Sequence, residues 1–176
     1  MAPIIICFVF DNRITFTYDK HYEFHKHSHE EHMMTPASVS TDTIEVQLQT
    51  GPDICDITPQ LERVVRSSGI KNGSLTATMI GSTGSITTIE FEPGVMEDLK
   101  QAINSLAPQG ASYEHEKAWH DGNGHSHVQS ALLGPSIAIP VRNKEIKLGT
   151  WQQVIAINHD NRPRKRTIEV TVFGMI

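Results

Sequence analysis

Four short stretches of this chain place apolar residues at every second position, and that period of two limits the fold more than any other feature. Ile44, Val46 and Leu48 alternate with Glu45, Gln47 and Gln49. Leu75, Ala77 and Met79 share one side of the segment from Ser74 to Ile80. Ile89 and Phe91 oppose Thr88 and Glu90, and Arg166 to Phe173 alternates again. Successive side chains of a strand point to opposite faces, so each stretch predicts a strand with one wet side. Val154-Ile155-Ala156-Ile157 is apolar on both sides and predicts a central strand. Ile137, Ile139 and Val141 predict another, at an edge or bulge, because Pro140 lacks the N–H a ladder needs. Asn143-Lys144 then supplies a hairpin turn.

Helical spacing occurs in two places. Leu61, Val64 and Val65 form a narrow apolar stripe, with Thr58 as cap, Pro59 in the first turn and Gly69 as the stop. Val95, Met96, Leu99, Ala102, Ile103 and Leu106 fill one face of a helix from Pro93 to Leu106. About seven strands with two main helices, not in alternation, predict an α+β domain with a mostly antiparallel mixed sheet. The domain is expected over residues 43–176. Residues 1–42 read as a histidine-rich, partly disordered extension: Ile4 to Phe10 can form a strand, and His25 to His32 is a polar run with weak metal affinity.

Composition narrows the function. The formal charge of −5 argues against a generally basic nucleic-acid-binding chain. Cys7 and Cys55 form no C-x-x-C pair, which removes an all-cysteine zinc site and a dithiol redox site. The longest apolar run, Pro3 to Phe10, is far below the roughly 20 residues of a membrane helix. A cytoplasmic protein is expected, with no membrane or nucleic-acid partner. No G-x-S-x-G elbow is present, and Asp53 and Asp56 near Cys55 would raise its thiol pKa.

The densest polar stretch runs from Tyr113 to His127. Its imidazoles and carboxylates are the usual ligands of a divalent ion such as zinc. His125 and His127 project together if the segment is extended, and Gly122 and Gly124 let the chain bend back to His115. These three histidines are the expected metal ligands. Glu90 and His127 are the expected proton carriers, and Trp119 and Asn123 contribute the wall of the pocket. Gly81-Ser82-Thr83-Gly84-Ser85 offers amides and hydroxyls to a phosphate, without the lysine and helix of a P-loop. Asp160 to Arg166 is the one concentrated basic patch, and its Arg164 suits phosphate oxygens.

Several segments stand in order along the chain: Gly69 to Gly73, Gly122 to His127, Leu132 to Ser136, Ile139 to Val141 and Leu148 to Gln153, with Asp160 and Pro163-Arg164. Together they resemble the YjbQ-like family, also described as secondary thiamine-phosphate synthases. The resemblance covers Thr43 to Gly174. It implies a compact mixed sheet, a homotrimer and a histidine-containing pocket between subunits. Many relatives carry His-Thr-Thr where this chain has Ser82-Thr83-Gly84, so a histidine expected at position 82 is missing and His125 is expected to compensate. Two functions follow. One is a metal-assisted enzyme, zinc- or magnesium-dependent and without an organic cofactor, that transfers or hydrolyses a small phosphorylated or anionic metabolite. The other is a trimeric metabolite- or metal-binding protein without catalysis.

Overall fold

The computed structural model describes residues 6–10, 13–17 and 37–176. The chain divides into two units, Met1–Met34 and Thr35–Ile176. In the first, β1 (Ile6–Phe10) pairs antiparallel with β2 (Arg13–Thr17), Val9 opposite Ile14. The expected strand is present there and is joined by a second that its sequence did not announce. The histidine-rich run from His25 to His32 lies outside the described residues.

The second unit is an α+β domain whose ladders are all antiparallel. Its strands are β3 (Ala37–Leu48), β4 (Asp53–Asp56), β5 (Asn72–Ile80), β6 (Gly84–Ile89), β7 (Ser136–Arg142), β8 (Glu145–Ile146), β9 (Gln153–Asn158) and β10 (Arg164–Met175). Its helices are α1 (Thr58–Ser68), α2 (Pro93–Leu106), α3 (Glu116–Trp119) and α4 (Gly124–Leu133). The expected single sheet is two sheets, ordered β3-β10-β5-β7-β8 and β4-β9-β6. Among the described residues no helix is long and apolar enough to cross a membrane.

Burial explains the layering. Ile44, Leu75, Ala77, Ile168, Val170 and Val172 cover the inner face of the five-stranded sheet. They meet Leu61, Val64 and Val65 of α1 and Ile86, Val154 and Ala156 of the smaller sheet. The other face of that smaller sheet presents Ile155 and Ile157 to Ile103 and Leu99 of α2 and Leu133 beyond them. Strand β9 therefore sits between two apolar layers and is paired on both edges, as its unbroken apolar run requires. On the outer face of the five-stranded sheet Val39 and Phe173 are directly paired, and within the second unit each is more than half exposed.

Local signals behave as physical chemistry dictates. Glu92 caps α2 by accepting from the amides of Gly94 and Val95 at 2.8 and 2.6 Å. Gly69 ends α1 with φ 75°, the left-handed region that disfavours a Cβ. The expected Thr58 cap is replaced: Asp56 Oδ1 accepts from the Thr58 amide instead, and the Thr58 hydroxyl accepts from the Val154 amide of β9, not from the helix. Strand β3 begins at Ala37, ahead of the expected Thr43, because the small polar residues before Thr43 complete its ladder with the end of β10. The short α3 and the ten-residue α4 were not anticipated.

Candidate functional site

The end of β9, the connection to β10 and the turn before β6 meet at one open cleft of about 420 Å3. Gly81, Ser82 and Thr83 supply one lip, with Gly81 at φ 126°, where an L side chain is strained. Asp160, Arg164, Lys165 and Arg166 supply the floor, where Arg164 and Arg166 carry the positive charge and the Lys165 ammonium is paired with Glu45 at 2.8 Å. Asp121, Asn123 and His127 supply the far wall.

The floor is held by a buried ion cluster. Asp160 Oδ2 accepts from Arg164 Nε at 2.9 Å and from the Thr83 hydroxyl at 3.0 Å. Arg166 is buried and donates to the Thr83 carbonyl and hydroxyl, both at 2.8 Å, and to Asn158 Oδ1. Burial pushes the Asp160 carboxyl up, but the hydrogen bonds from Arg164 and Thr83 outweigh it, and the group stays charged well into the acid range. Arg164 is tethered through Nε, and among the described residues its two terminal nitrogens donate to no protein group. They remain for a ligand anion.

The far wall is rich in metal ligands. His115, Glu116 and Asp121 each offer a ligand atom, all within 4.8 Å of one another. The ring of His127 lies 4.6 Å from that of His115. His115 Nε2 is buried and has no hydrogen-bond partner among the described residues, although Asp121 Oδ1 stands 3.3 Å away. Glu116 does a second job. Its two carboxylate oxygens accept from the amides of Gly122 and Gly124 at 2.7 and 2.9 Å, which sets the turn into α4 and lowers its own pKa. A Cβ on Gly124 would come within 2.5 Å of Tyr113 Cβ, so this turn demands glycine.

Behind the wall lies a buried polar network. The Ser126 hydroxyl contacts Asn123 Oδ1, His125 Nε2 and the His159 carbonyl. His159 bonds Ser85 through Nε2 at 2.8 Å and Gln129 through Nδ1 at 3.1 Å. The Ser85–His159–Gln129 array has the connectivity of an activated nucleophile. Ser85 is fully buried, however, so no substrate reaches it, and the array is structural. Burial lowers the His159 pKa to about 4, helped by the nearby Arg166 charge, and burial likewise lowers that of His125.

Of the residues singled out from the sequence, Ser82, Thr83, Asn123, His127 and Arg164 line the cleft, and His115 stands against His127. His125 does not join them. The segment is helical, not extended, so positions two apart on α4 diverge, and His125 turns into the interior with 2% exposure. Glu90 also lies elsewhere. It is exposed just past the end of β6, whereas the cleft is at that strand's beginning, roughly 20 Å away by strand rise. Trp119 is 71% exposed and outside the cleft lining, although its ring stacks loosely on His115 at 6.4 Å. Asp121, Glu116 and Lys165 were not singled out individually. A carboxylate ahead of Gly-x-Gly was the available signal for Glu116 and Asp121.

Residues 42–175 match the family model described as UPF0047 protein YjbQ-like. The chain belongs to the UPF0047, YjbQ-like family. A UPF0047 relative from Methanothermobacter thermautotrophicus is 35% identical over 136 residues, covering 77% of this chain and 93% of that one. A crystal structure from Sulfolobus solfataricus, described as a YbjQ-like protein of unknown function, superposes with a TM-score of 0.75. It is 33% identical and covers 79% of this chain and 99% of its own. A hypothetical protein from Aeropyrum pernix gives 0.70 at 28% identity, over 77% and 98% of the two chains. The family's shared region thus begins within β3 and contains every residue of the cleft.

Proposed function

We propose that the cleft is the active site of a metal-assisted enzyme acting on a small phosphorylated or anionic metabolite. One juxtaposition carries this reading: the cleft is lined by Arg164, whose terminal nitrogens have no protein acceptor among the described residues, and by His127, behind which the buried Nε2 of His115 lacks a hydrogen-bond partner among those residues. A buried polar nitrogen left unpaired is costly unless a ligand completes it. His115, His127 and Asp121 would hold the ion, and two imidazoles suit zinc better than magnesium, which prefers oxygen. A divalent ion there would offset negative charge growing on a departing phosphate. Arg164 binds the anion, Ser82 and the Gly81 turn orient its oxygens, and Glu116 keeps the wall in place.

The reading has a sharper form, supported by the family resemblance. A thiazole phosphate nitrogen bonds to the methylene carbon of a pyrimidine diphosphate as the bond from that carbon to the diphosphate oxygen breaks. The product is thiamine phosphate, and the leaving diphosphate remains among the arginines. Hydrolysis of a phosphate ester uses the same groups.

Zinc titration followed by calorimetry tests the metal. Wild-type protein is expected to bind one ion, with His115→Ala and His127→Ala each weakening it at least roughly tenfold. His120→Ala, at an exposed position capping α3, is expected to leave binding unchanged. Undiminished affinity in the His115 and His127 variants would remove the metal from the site.

We propose further that the protein is a cytoplasmic homotrimer. The family resemblance and the exposed Val39 and Phe173 pair on the outer face of the five-stranded sheet support the assembly. Light scattering should return the mass of three chains, and a single-chain mass at micromolar concentration would count against it.

A further inference from the structure

We infer that Arg162 is a second anion-binding arginine, docked by Asp160 Oδ1 when the cleft is filled. The inference rests on the reading of the cleft as an anion site. Asp160 has a 2% exposed side chain and two oxygens in unlike situations. Oδ2 accepts from Arg164 and Thr83, whereas Oδ1 is buried and has no hydrogen-bond partner among the described residues. The Asn123 side chain helps keep the carboxylate charged, yet no donor among those residues reaches Oδ1 in hydrogen-bonding geometry. A buried carboxylate oxygen without a donor is among the costlier things a fold can leave.

The nearest cation is already poised beside it. Arg162 Nε lies 3.8 Å from Oδ1, beyond a hydrogen bond, and its side chain is 58% exposed. On the other oxygen, Arg164 Nε is bonded at 2.9 Å and its guanidinium lies in the cleft lining. An approach of about 1 Å would give Arg162 the same attachment. One carboxylate would then hold two guanidinium groups by their Nε atoms, leaving the terminal nitrogens of both for phosphate oxygens. Without an anion, bringing a further positive charge beside Arg164 and Arg166 is opposed by like-charge repulsion. With an anion present that repulsion becomes attraction, so docking is coupled to binding.

The test is binding of inorganic phosphate to the full chain, measured by calorimetry at low ionic strength. Arg162→Ala should weaken binding about tenfold, the typical worth of one charge-assisted contact. Arg162→Lys should recover less than half of that loss in logarithmic terms, because lysine offers a point charge and no Nε to dock. In an Asp160→Asn background, Arg162→Ala should have no further effect. Fold integrity is not at stake in the Arg162 variants, since that side chain is exposed. If phosphate binds wild type and Arg164→Ala abolishes it while Arg162→Ala changes nothing, the docking inference is wrong and the anion cleft stands. If wild type binds no phosphate, both readings fall.

Discussion

Arg166→Met is expected to destabilise the protein by about 3 to 5 kcal/mol, the range for removing one partner of a buried charge network. Arg166 is 6% exposed and sits on β10 of the larger sheet. Its guanidinium bonds Asn158, at the end of β9 in the smaller sheet, and Thr83, just ahead of β6. Methionine fills similar volume but takes a charged donor from Asn158 Oδ1 and from the Thr83 carbonyl and hydroxyl, and removes the positive charge that stands 3.9 Å from Asp160 Oδ2. Arg166→Lys should recover only part of the loss, because one ammonium cannot span both partners as the planar fork does. Urea unfolding followed by circular dichroism measures the change. A loss below about 1 kcal/mol would mean that the network is hydrated and the two sheets are joined by apolar packing alone.

The second expected result is a fall in stability of about 3 kcal/mol as pH drops from 6.5 to 4, traced to His159. The folded-state pKa is about 4 against an ordinary value of 6.5. In that window the unfolded chain binds the proton and the folded chain does not, so acid favours unfolding. The contribution is complete above 6.5, declines through the window and is fully lost below 4. His125, shifted in the same direction by its own burial, adds to the slope. His159→Gln keeps a side chain able to bond Ser85 or Gln129 and carries no titrating group. It should flatten the pH dependence while costing some stability at neutral pH. An unchanged slope in that variant would assign the acid sensitivity to other groups.

The fold was legible wherever a period was unbroken. The alternation in β5 and β10, the double-sided apolar run of β9 and the Pro93–Leu106 helix all appear as read. Pro140 sits where β7 is paired with Ser74 of β5 and has not yet met β8, which pairs only from Val141 onward. The site was harder to read because α4 gives a poor helical signal. It opens with glycine and places His125, Ser126, Gln129 and Ser130 inside, so its buried face is polar. A buried polar face forms only when partners from β6, the residue after β9 and the α2 end are in place, as the Gly84, His159 and Ala107 carbonyls are here, accepting from Ser130, Ser126 and Gln129. Period alone cannot announce such a face. The mistaken pairing of His125 with His127 follows directly from reading that segment as extended. Glu90 lies apart for another reason: β6 ends at Ile89 and is buried at its start and half-buried at its end, without the alternation read from Ile86 to Phe91, and one-dimensional spacing does not say which end of a strand approaches the cleft.

The connection from β9 to β10 also bears on how a chain of this kind changes over generations. Its ends are locked: Asn158 and Arg166 are buried and bonded to each other. Between them, Arg162 and Arg164 are the most exposed of the charged side chains gathered around Asp160. If the cleft binds anions as proposed, a substitution at Arg162 changes which of them it admits without removing a buried contact. Chemistry and architecture would then be separable at that one position, with specificity free to drift while the scaffold is inherited intact.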